Sequence, residues 1–105
     1  MINQSISADK RLKTIFSAVG ATELLAGLAE ECSELAQAAL KLRRVYDGLN
    51  PTTVTEKEAI DSLYEEAADV QVYLKALYMY QPMIDDICDV KLNRWIQRLN
   101  GGKNA

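Results

Sequence analysis

Two pairs of acidic side chains with the same spacing are the residues of this sequence best suited to chemistry. Glu31 and Glu34 are three residues apart within one apolar stretch, and Glu66 and Asp69 repeat that spacing within another. Because residues advance by about 100° on a helix, Glu31 falls roughly 40° and Glu66 roughly 70° from the centre of its apolar stripe. Glu34 and Asp69 lie further round on the same flank. All four acids therefore border surfaces that are expected to pack.

Antiparallel packing of the two helices would place these matching flanks on one side of the pair, and the connecting loop of about ten residues permits it. Four carboxylates would then line one groove. Like charges that are partly buried repel one another and resist ionisation unless a cation lies between them. Ligands that offer only oxygen favour a hard cation, Mg²⁺ or Mn²⁺. The sequence contains no histidine, which weakens the alternative of a di-iron bundle built on Glu-x-x-His motifs.

Three cations follow on a later helix. Lys91, Arg94 and Arg98 cluster on one flank of its apolar stripe, and an acidic metal site edged by cations is suited to bind phosphate. Simpler interpretations exist for both features. Glu-x-x-Glu is common on solvated helix faces, and these cations also suit the C-terminal end of a helix dipole or surface salt bridges.

The elements that must position these residues are helical. The apolar spacing predicts an all-α fold, a small helical bundle of three long helices plus a short N-terminal one. The first helix is expected over about 7–18 and is ended by Gly20, and Thr22 is expected to cap the second. A loop follows around Gly48 and Pro51. The third helix should start at the capping box Thr55-x-x-Glu58 and close at Gln81-Pro82, and the fourth should begin at about Met83.

Expectations for the core follow from the same stripes. Cys32, Cys88 and Trp95 lie on apolar stripes and are expected to be core residues. The third helix also carries apolar groups on its outer side, which predicts a subunit interface, the alternative being a helix central to the monomer. These outer residues are Ala68, Val72, Ala76, Met79 and Tyr80.

Composition limits the function classes. The 105 residues suit one domain over 1–100 with a flexible tail at 101–105, and so short a chain is expected to need a partner subunit to complete its core. A net charge of −3 gives no basis for nucleic-acid or membrane-surface binding. Lack of histidine excludes Ser-His and Cys-His nucleophile pairs and His-ligated metals. Two cysteines cannot form a four-cysteine zinc site, and with no signal peptide or membrane span in the pattern a reduced, cytoplasmic setting is expected.

The acidic motifs also resemble a known family. The segment Leu28-Ala29-Glu30-Glu31-Cys32-Ser33-Glu34-Leu35, followed by Glu65-Glu66-Ala67-Ala68-Asp69-Val70, is similar to the MazG-like, all-α nucleoside triphosphate pyrophosphohydrolases. That family is marked by E-E-x-x-E on one helix and E-x-x-D on the next. Lys91-x-x-Arg94 looks like its later basic element. The resemblance covers roughly residues 15 to 98.

The resemblance implies a site and a reaction. Glu31, Glu34, Glu66 and Asp69 would hold Mg²⁺, with Mn²⁺ as a possible substitute; the metal would polarise the triphosphate and activate a water. Attack would release a nucleoside monophosphate and pyrophosphate from a ribo- or deoxyribonucleoside triphosphate. Lys91 and Arg94 would hold phosphate oxygens, and the helix angle adds Arg98. Such proteins are usually homodimers or homotetramers with sites close to subunit contacts.

Two alternatives stay open. Phosphoribosyl-ATP pyrophosphohydrolases resemble this chain in their acids, but they typically carry Tyr-His after the second pair, where this sequence has Val72-Tyr73-Leu74. The other alternative is a non-catalytic helical oligomerisation or regulatory module that has kept an acidic groove. The linker between the two acidic pairs is also longer than in compact members of the family, and the extra residues fall in the loop over 46–55.

Overall fold

The computed structural model describes residues 9–48 and 53–101, and the chain there forms four helices and no strands. The prediction of a small all-α bundle with three long helices and a short N-terminal one is confirmed. In chain order the helices are α1 (Lys10–Val19), α2 (Ala21–Asp47), α3 (Glu56–Ala76) and α4 (Gln81–Leu99). Three predicted segments lie partly outside the described residues. They are 102–105 of the tail predicted over 101–105, residues 49–52 of the predicted loop, and the start of the first helix.

A single glycine separates α1 from α2. Gly20 has φ 87°, a conformation that favours glycine, and its N–H donates to the carbonyl of Phe16 to close α1. The same residue is the N-cap of α2, which begins at Ala21. The expectation that Thr22 caps α2 is therefore wrong, because the sharp turn at Gly20 leaves Thr22 inside the first helical turn.

The two helices meet at a bend of 103°. In the described part of the chain no single helix is both long and apolar enough to cross a membrane, and only α1 and α2 taken together across this bend meet the length and composition required.

The start of α3 follows the predicted capping box. The backbone N–H of Glu58 donates to Thr55 Oγ1 over 3.1 Å, and the N–H of Thr55 donates to Glu58 Oε1 over 2.9 Å. The helix ends at Ala76, earlier than predicted, because Tyr78 takes the left-handed φ of 58°. Pro82 then lies in the first turn of α4, where a backbone N–H would have no acceptor within the helix.

The helices α2 and α3 pack antiparallel along their length. Gly27 near the start of α2 faces Tyr73 near the end of α3, whereas Ala38 lines a cleft together with Ser62, which lies early in α3. Gly27 is buried, and a Cβ atom at this position would overlap the phenol ring of Tyr73. The close approach of the two backbones here thus depends on glycine, and it fixes which turns of the two helices are opposite one another.

The core is small and lies where α1 crosses the end of this pair. Leu12, Leu24 and Ala76 are buried there, and three partly buried side chains pack around them, namely Phe16, Tyr73 and Leu77. Ala76, expected on the outer side of the third helix, is therefore part of the core. Among the described residues no large side chain is fully buried. The chain by itself encloses very little apolar volume.

The helix α4 is not packed along any other helix and has no buried residue. Trp95 is 60% exposed, and Cys32 and Cys88 are exposed as well, so the expectation that these three are core residues is wrong for the single chain. Their stripes are apolar, but no helix of the same chain covers them. The radius of gyration is 17.7 Å, whereas a compact domain of this length has about 13 Å.

Candidate metal and phosphate site

Three carboxylates meet on one side of the α2–α3 pair. One oxygen from each of Glu31, Glu66 and Asp69 lies within 4.8 Å of the other two. Glu31 and Glu66 are half-buried, and Asp69 is exposed. We call these three residues the acidic cluster. Their types and separations suit a shared cation better than three independent surface charges.

The packing of the two helices creates this cluster. Glu66 and Asp69 are three residues apart and so lie on one face of α3. The antiparallel arrangement fixed near Gly27 and Tyr73 brings the middle of α2, with Glu31, against this face. The sequence prediction that the matching flanks of the two helices meet is thus realised for these three acids.

The fourth predicted acid, Glu34, lies beside the acidic cluster. It is exposed and outside the group of three, but it lines the same cleft as Glu66. Its charge also raises the pKa of both Glu31 and Glu66. All four acids predicted from the sequence therefore lie in one small region. Three of them are close together, and Glu34 is at the edge.

The electrostatics of the acidic cluster are unfavourable without a cation. Burial raises the pKa of Glu66, and the charges of Asp69, Glu31 and Glu34 raise it further. Burial likewise raises the pKa of Glu31, with Asp69 as its strongest charged neighbour. No ion pair within residues 9–48 and 53–101 compensates these acids.

Glu66 supplies the observation most specific to a ligand. Its Oε2 atom is buried and has no hydrogen-bond partner in the described structure. An unpaired buried carboxylate oxygen is unfavourable, and natural proteins seldom tolerate it. A divalent cation held by Glu31, Glu66 and Asp69 would satisfy this oxygen and relieve the repulsion. Because the donors are all carboxylate oxygens, they fit Mg²⁺ or Mn²⁺.

A cleft next to the acidic cluster contains cations that sequence reasoning missed. Its volume is about 290 Å³, and Lys41 and Arg44 line it together with Glu34 and Glu66. Both cations lie near the C-terminal end of α2, where the helix dipole alone gives a simpler reason for a cation. The spacing of 34, 37, 41 and 44 puts all four positions on one face of α2, and this signal could have identified them.

The predicted phosphate ligands Lys91, Arg94 and Arg98 lie together, but on α4. They line a separate groove of about 500 Å³ with Cys88, Leu92 and Trp95. None of the three forms an ion pair in the described part of the chain, and none contributes to the pKa shifts of Glu31 or Glu66. The candidate phosphate-binding cations of a single chain therefore lie in two places, one beside the acids and one on α4.

Comparisons with protein-family models, curated proteins and solved structures find no match to this chain.

Proposed function

We propose that the chain is a Mg²⁺-dependent nucleoside triphosphate pyrophosphohydrolase, which cleaves its substrate to a nucleoside monophosphate and pyrophosphate. The observation that carries the proposal is the acidic cluster, with its unpartnered Glu66 Oε2, beside a cleft that contains Lys41 and Arg44. Acids that need a divalent cation, next to side chains that bind anions, form a site for a metal-bound polyphosphate. The resemblance of the acidic motifs to MazG-like enzymes supports the same reaction.

Each group has a distinct role in this proposal. Glu31, Glu66 and Asp69 would hold Mg²⁺, which when bound neutralises phosphate charge and polarises the phosphoanhydride. Lys41 and Arg44, which line the cleft, would bind phosphate oxygens there. Glu34, outside the close group of three, would accept the proton of the attacking water. No histidine base is needed.

The reaction is a simple hydrolysis. The water oxygen forms a new bond to phosphorus as the bond between the α-phosphorus and the bridging oxygen breaks, and the electron pair leaves with pyrophosphate. The proton transferred to the Glu34 carboxylate is later released to solvent. The cations beside the cleft stabilise the charge that develops on the departing group, since preorganised cations are most effective where charge appears.

A hydrolysis screen over ribo- and deoxyribonucleoside triphosphates tests the proposal. We expect pyrophosphate in the presence of Mg²⁺ and none in excess chelator. Glu66→Gln should reduce turnover by about 100-fold or more, because a metal interaction contributes several kcal/mol to the barrier. Glu23→Gln is the matched control, since Glu23 is exposed in the first turn of α2 and outside the cluster. Equal loss in both variants would contradict the site.

The two alternatives predict other outcomes in the same screen. Phosphoribosyl-ATP is the next substrate to test if no nucleoside triphosphate is cleaved, although Tyr73, in the segment where those enzymes carry Tyr-His, packs against Gly27. A non-catalytic helical module would cleave neither substrate.

The free, exposed thiols of Cys32 and Cys88 support our placing the protein in a reducing compartment such as the cytoplasm.

A further inference from the structure

The cleft beside the acidic cluster has opposite charges at its two ends. Along α2 it is lined first by Glu34, then by Gln37, and finally by Lys41 and Arg44, and Glu66 of α3 adds a second acid beside Glu34. Because a helix rises by 1.5 Å per residue, Lys41 is about 10 Å and Arg44 about 15 Å from Glu34 along the axis of α2. A ligand that lies lengthwise in the cleft therefore suits it if it has a metal ion at one end and anionic groups at the other.

The two cations are spaced like the groups of a phosphate chain. Long side chains on a helix lean towards its N-terminus, which brings the charged ends of Lys41 and Arg44 back towards the acids. The two residues remain about 4.5 Å apart along the axis, because three residues separate them. This spacing is close to that of neighbouring phosphate groups in a polyphosphate. Within residues 9–48 and 53–101 neither cation forms an ion pair, so both are available to an anionic ligand.

The charges on α2 also favour one direction for such a chain. At 100° per residue, Glu30 lies on the same face of α2 as Glu34 and Arg44, one turn before Glu34. A phosphate chain that extends from the metal towards the start of α2 meets this like charge, whereas one that extends towards the end of α2 meets two cations. Electrostatics therefore favours a chain that runs from the acidic cluster towards Arg44.

The size and lining of the cleft suit a phosphate chain better than a whole nucleotide. Its volume is about 290 Å³, at the lower limit of the roughly 300–1,000 Å³ of pockets that enclose drug-sized ligands. Among the described residues that line it, only Ala38 and Leu40 are apolar, and none is aromatic. The cleft thus provides charged and polar groups for phosphates but no aromatic surface on which a base could stack.

We propose that the cleft selects its substrate by the length of the phosphate chain, with Lys41 binding the second phosphate and Arg44 the third. The inference rests on the proposed function, which puts the first phosphate at the metal held by the acidic cluster. Arg44 suits the terminal phosphate, because a guanidinium donates two parallel hydrogen bonds and the terminal group has the most free oxygens. Arg44 is thus the residue that distinguishes a triphosphate from a diphosphate, and the nucleoside extends out of the cleft.

Uncleavable analogues test this selection by binding alone. The α,β-methylene analogues of ATP and ADP have a carbon in place of the oxygen at the scissile bond, so calorimetry in Mg²⁺ measures their affinity without turnover. We expect the wild type to bind the triphosphate analogue about tenfold more tightly, since a hydrogen bond between charged groups contributes at least that factor. Arg44→Gln should remove the preference by weakening the triphosphate analogue alone. Lys41→Gln should weaken both analogues, because both have a second phosphate.

Arg43→Gln is the matched control. Arg43 is exposed, lines a different groove with Leu42 and Tyr46, and pairs with Asp47 over 3.7 Å. Its replacement should leave the affinity for both analogues unchanged. Arg44→Lys keeps the charge in the last turn of α2 and loses the paired donors, so its affinity for the triphosphate analogue should lie between those of the wild type and Arg44→Gln. Circular dichroism should show the same helix content in every variant.

The outcomes separate this inference from the proposed function. If Arg44→Gln weakens the two analogues equally, or weakens neither, the role of Arg44 is overturned even where the wild type releases pyrophosphate from nucleoside triphosphates. The expected pattern of affinities in a protein that cleaves no triphosphate would support selection by chain length and contradict the hydrolysis. A wild type that binds neither analogue in Mg²⁺ would overturn both.

Discussion

The carboxylate of Glu66 carries more of the functional argument than any other side chain. It is half-buried, one of its oxygens has no partner, and burial together with the charges of four nearby acids raises its pKa. A half-buried carboxylate that only stabilised the fold would be expected to have a cation or a hydrogen-bond donor nearby. Acids arranged to repel one another are typical of a site that a ligand completes.

The first prediction concerns stability without metal. Glu66→Gln removes a repelling charge but little volume, so in excess chelator its melting temperature should equal or exceed that of the wild type. Asp69→Asn should behave in the same way. Thermal unfolding followed by circular dichroism measures both. A clear loss of melting temperature in chelator would instead indicate a structural salt bridge at Glu66.

The second prediction concerns pH. The folded-state pKa of Glu66 and Glu31 lies above the usual 4.5, so these acids bind protons more tightly when the chain is folded. Their contribution to stability is complete below the unfolded pKa and is lost as the pH rises through the raised pKa. In chelator, the melting temperature should therefore increase as the pH falls from 7 towards the unfolded pKa of about 4.5, and Glu66→Gln should flatten the increase.

The pKa values of two other acids are shifted in the opposite direction, and their effect on stability falls outside the pH range of this prediction. The pKa of Asp9 is lowered to about 2, mainly by its hydrogen bond from the Arg11 side chain. The pKa of Glu58 is lowered by its capping hydrogen bond from Thr55. Both stabilise the fold above their unfolded pKa values and lose that effect only in more acidic solution. A melting temperature that falls between pH 7 and pH 5 would contradict the assignment of Glu31 and Glu66.

At the scale of the helices, the contact of Gly27 with Tyr73 sets the position of α2 against α3. Gly27→Ala should favour α2 by about 1 kcal/mol on helix propensity alone. We expect a net loss of stability instead, of about 1–3 kcal/mol, because the added methyl group overlaps the Tyr73 ring. Urea unfolding measures the difference. Ala36→Gly, at an exposed position of α2, is the control and should cost about 1 kcal/mol from propensity only. A stabilised Gly27→Ala would show that the contact is loose.

Local signals predicted the helices well where the deciding interaction lies within a few residues. The Thr55 and Glu58 capping box is such a case, because both partners are on the same turn. Thr22 was misassigned because the conformation of Gly20, rather than a side-chain hydrogen bond, begins α2. The early end of α3 at the left-handed Tyr78 was also not predictable, since nothing in its residue type favours that conformation.

The site was predictable in part for a similar reason. Helical spacing placed Glu31, Glu66 and Asp69 on matching flanks, and packing brought them together. Lys41 and Arg44 were missed because a cation near the end of a helix has a simpler explanation in the helix dipole. The location of Lys91 and Arg94 relative to the acids was not predictable. An amphipathic pattern shows that a face is apolar, but it does not show which element covers it.

At the scale of the whole molecule, metal binding and folding should be linked. A ligand that binds only the folded state raises stability in proportion to the logarithm of its concentration above its Kd. At neutral pH we expect Mg²⁺ to raise the melting temperature of the wild type and chelator to reverse the effect. Glu66→Gln should abolish the response, and Glu23→Gln, at an exposed position outside the cluster, should retain it. A melting temperature that is the same with saturating Mg²⁺ and with chelator would count against the metal site.

The most direct test of the central claim is to measure the products of nucleoside triphosphate hydrolysis by the wild type in Mg²⁺. Pyrophosphate, orthophosphate and nucleoside monophosphate should be quantified separately in the same reaction. We predict equal amounts of pyrophosphate and monophosphate, no orthophosphate, and loss of both products in chelator and in Glu66→Gln. Orthophosphate with nucleoside diphosphate, or turnover that persists in Glu66→Gln, would contradict a pyrophosphohydrolase centred on the acidic cluster.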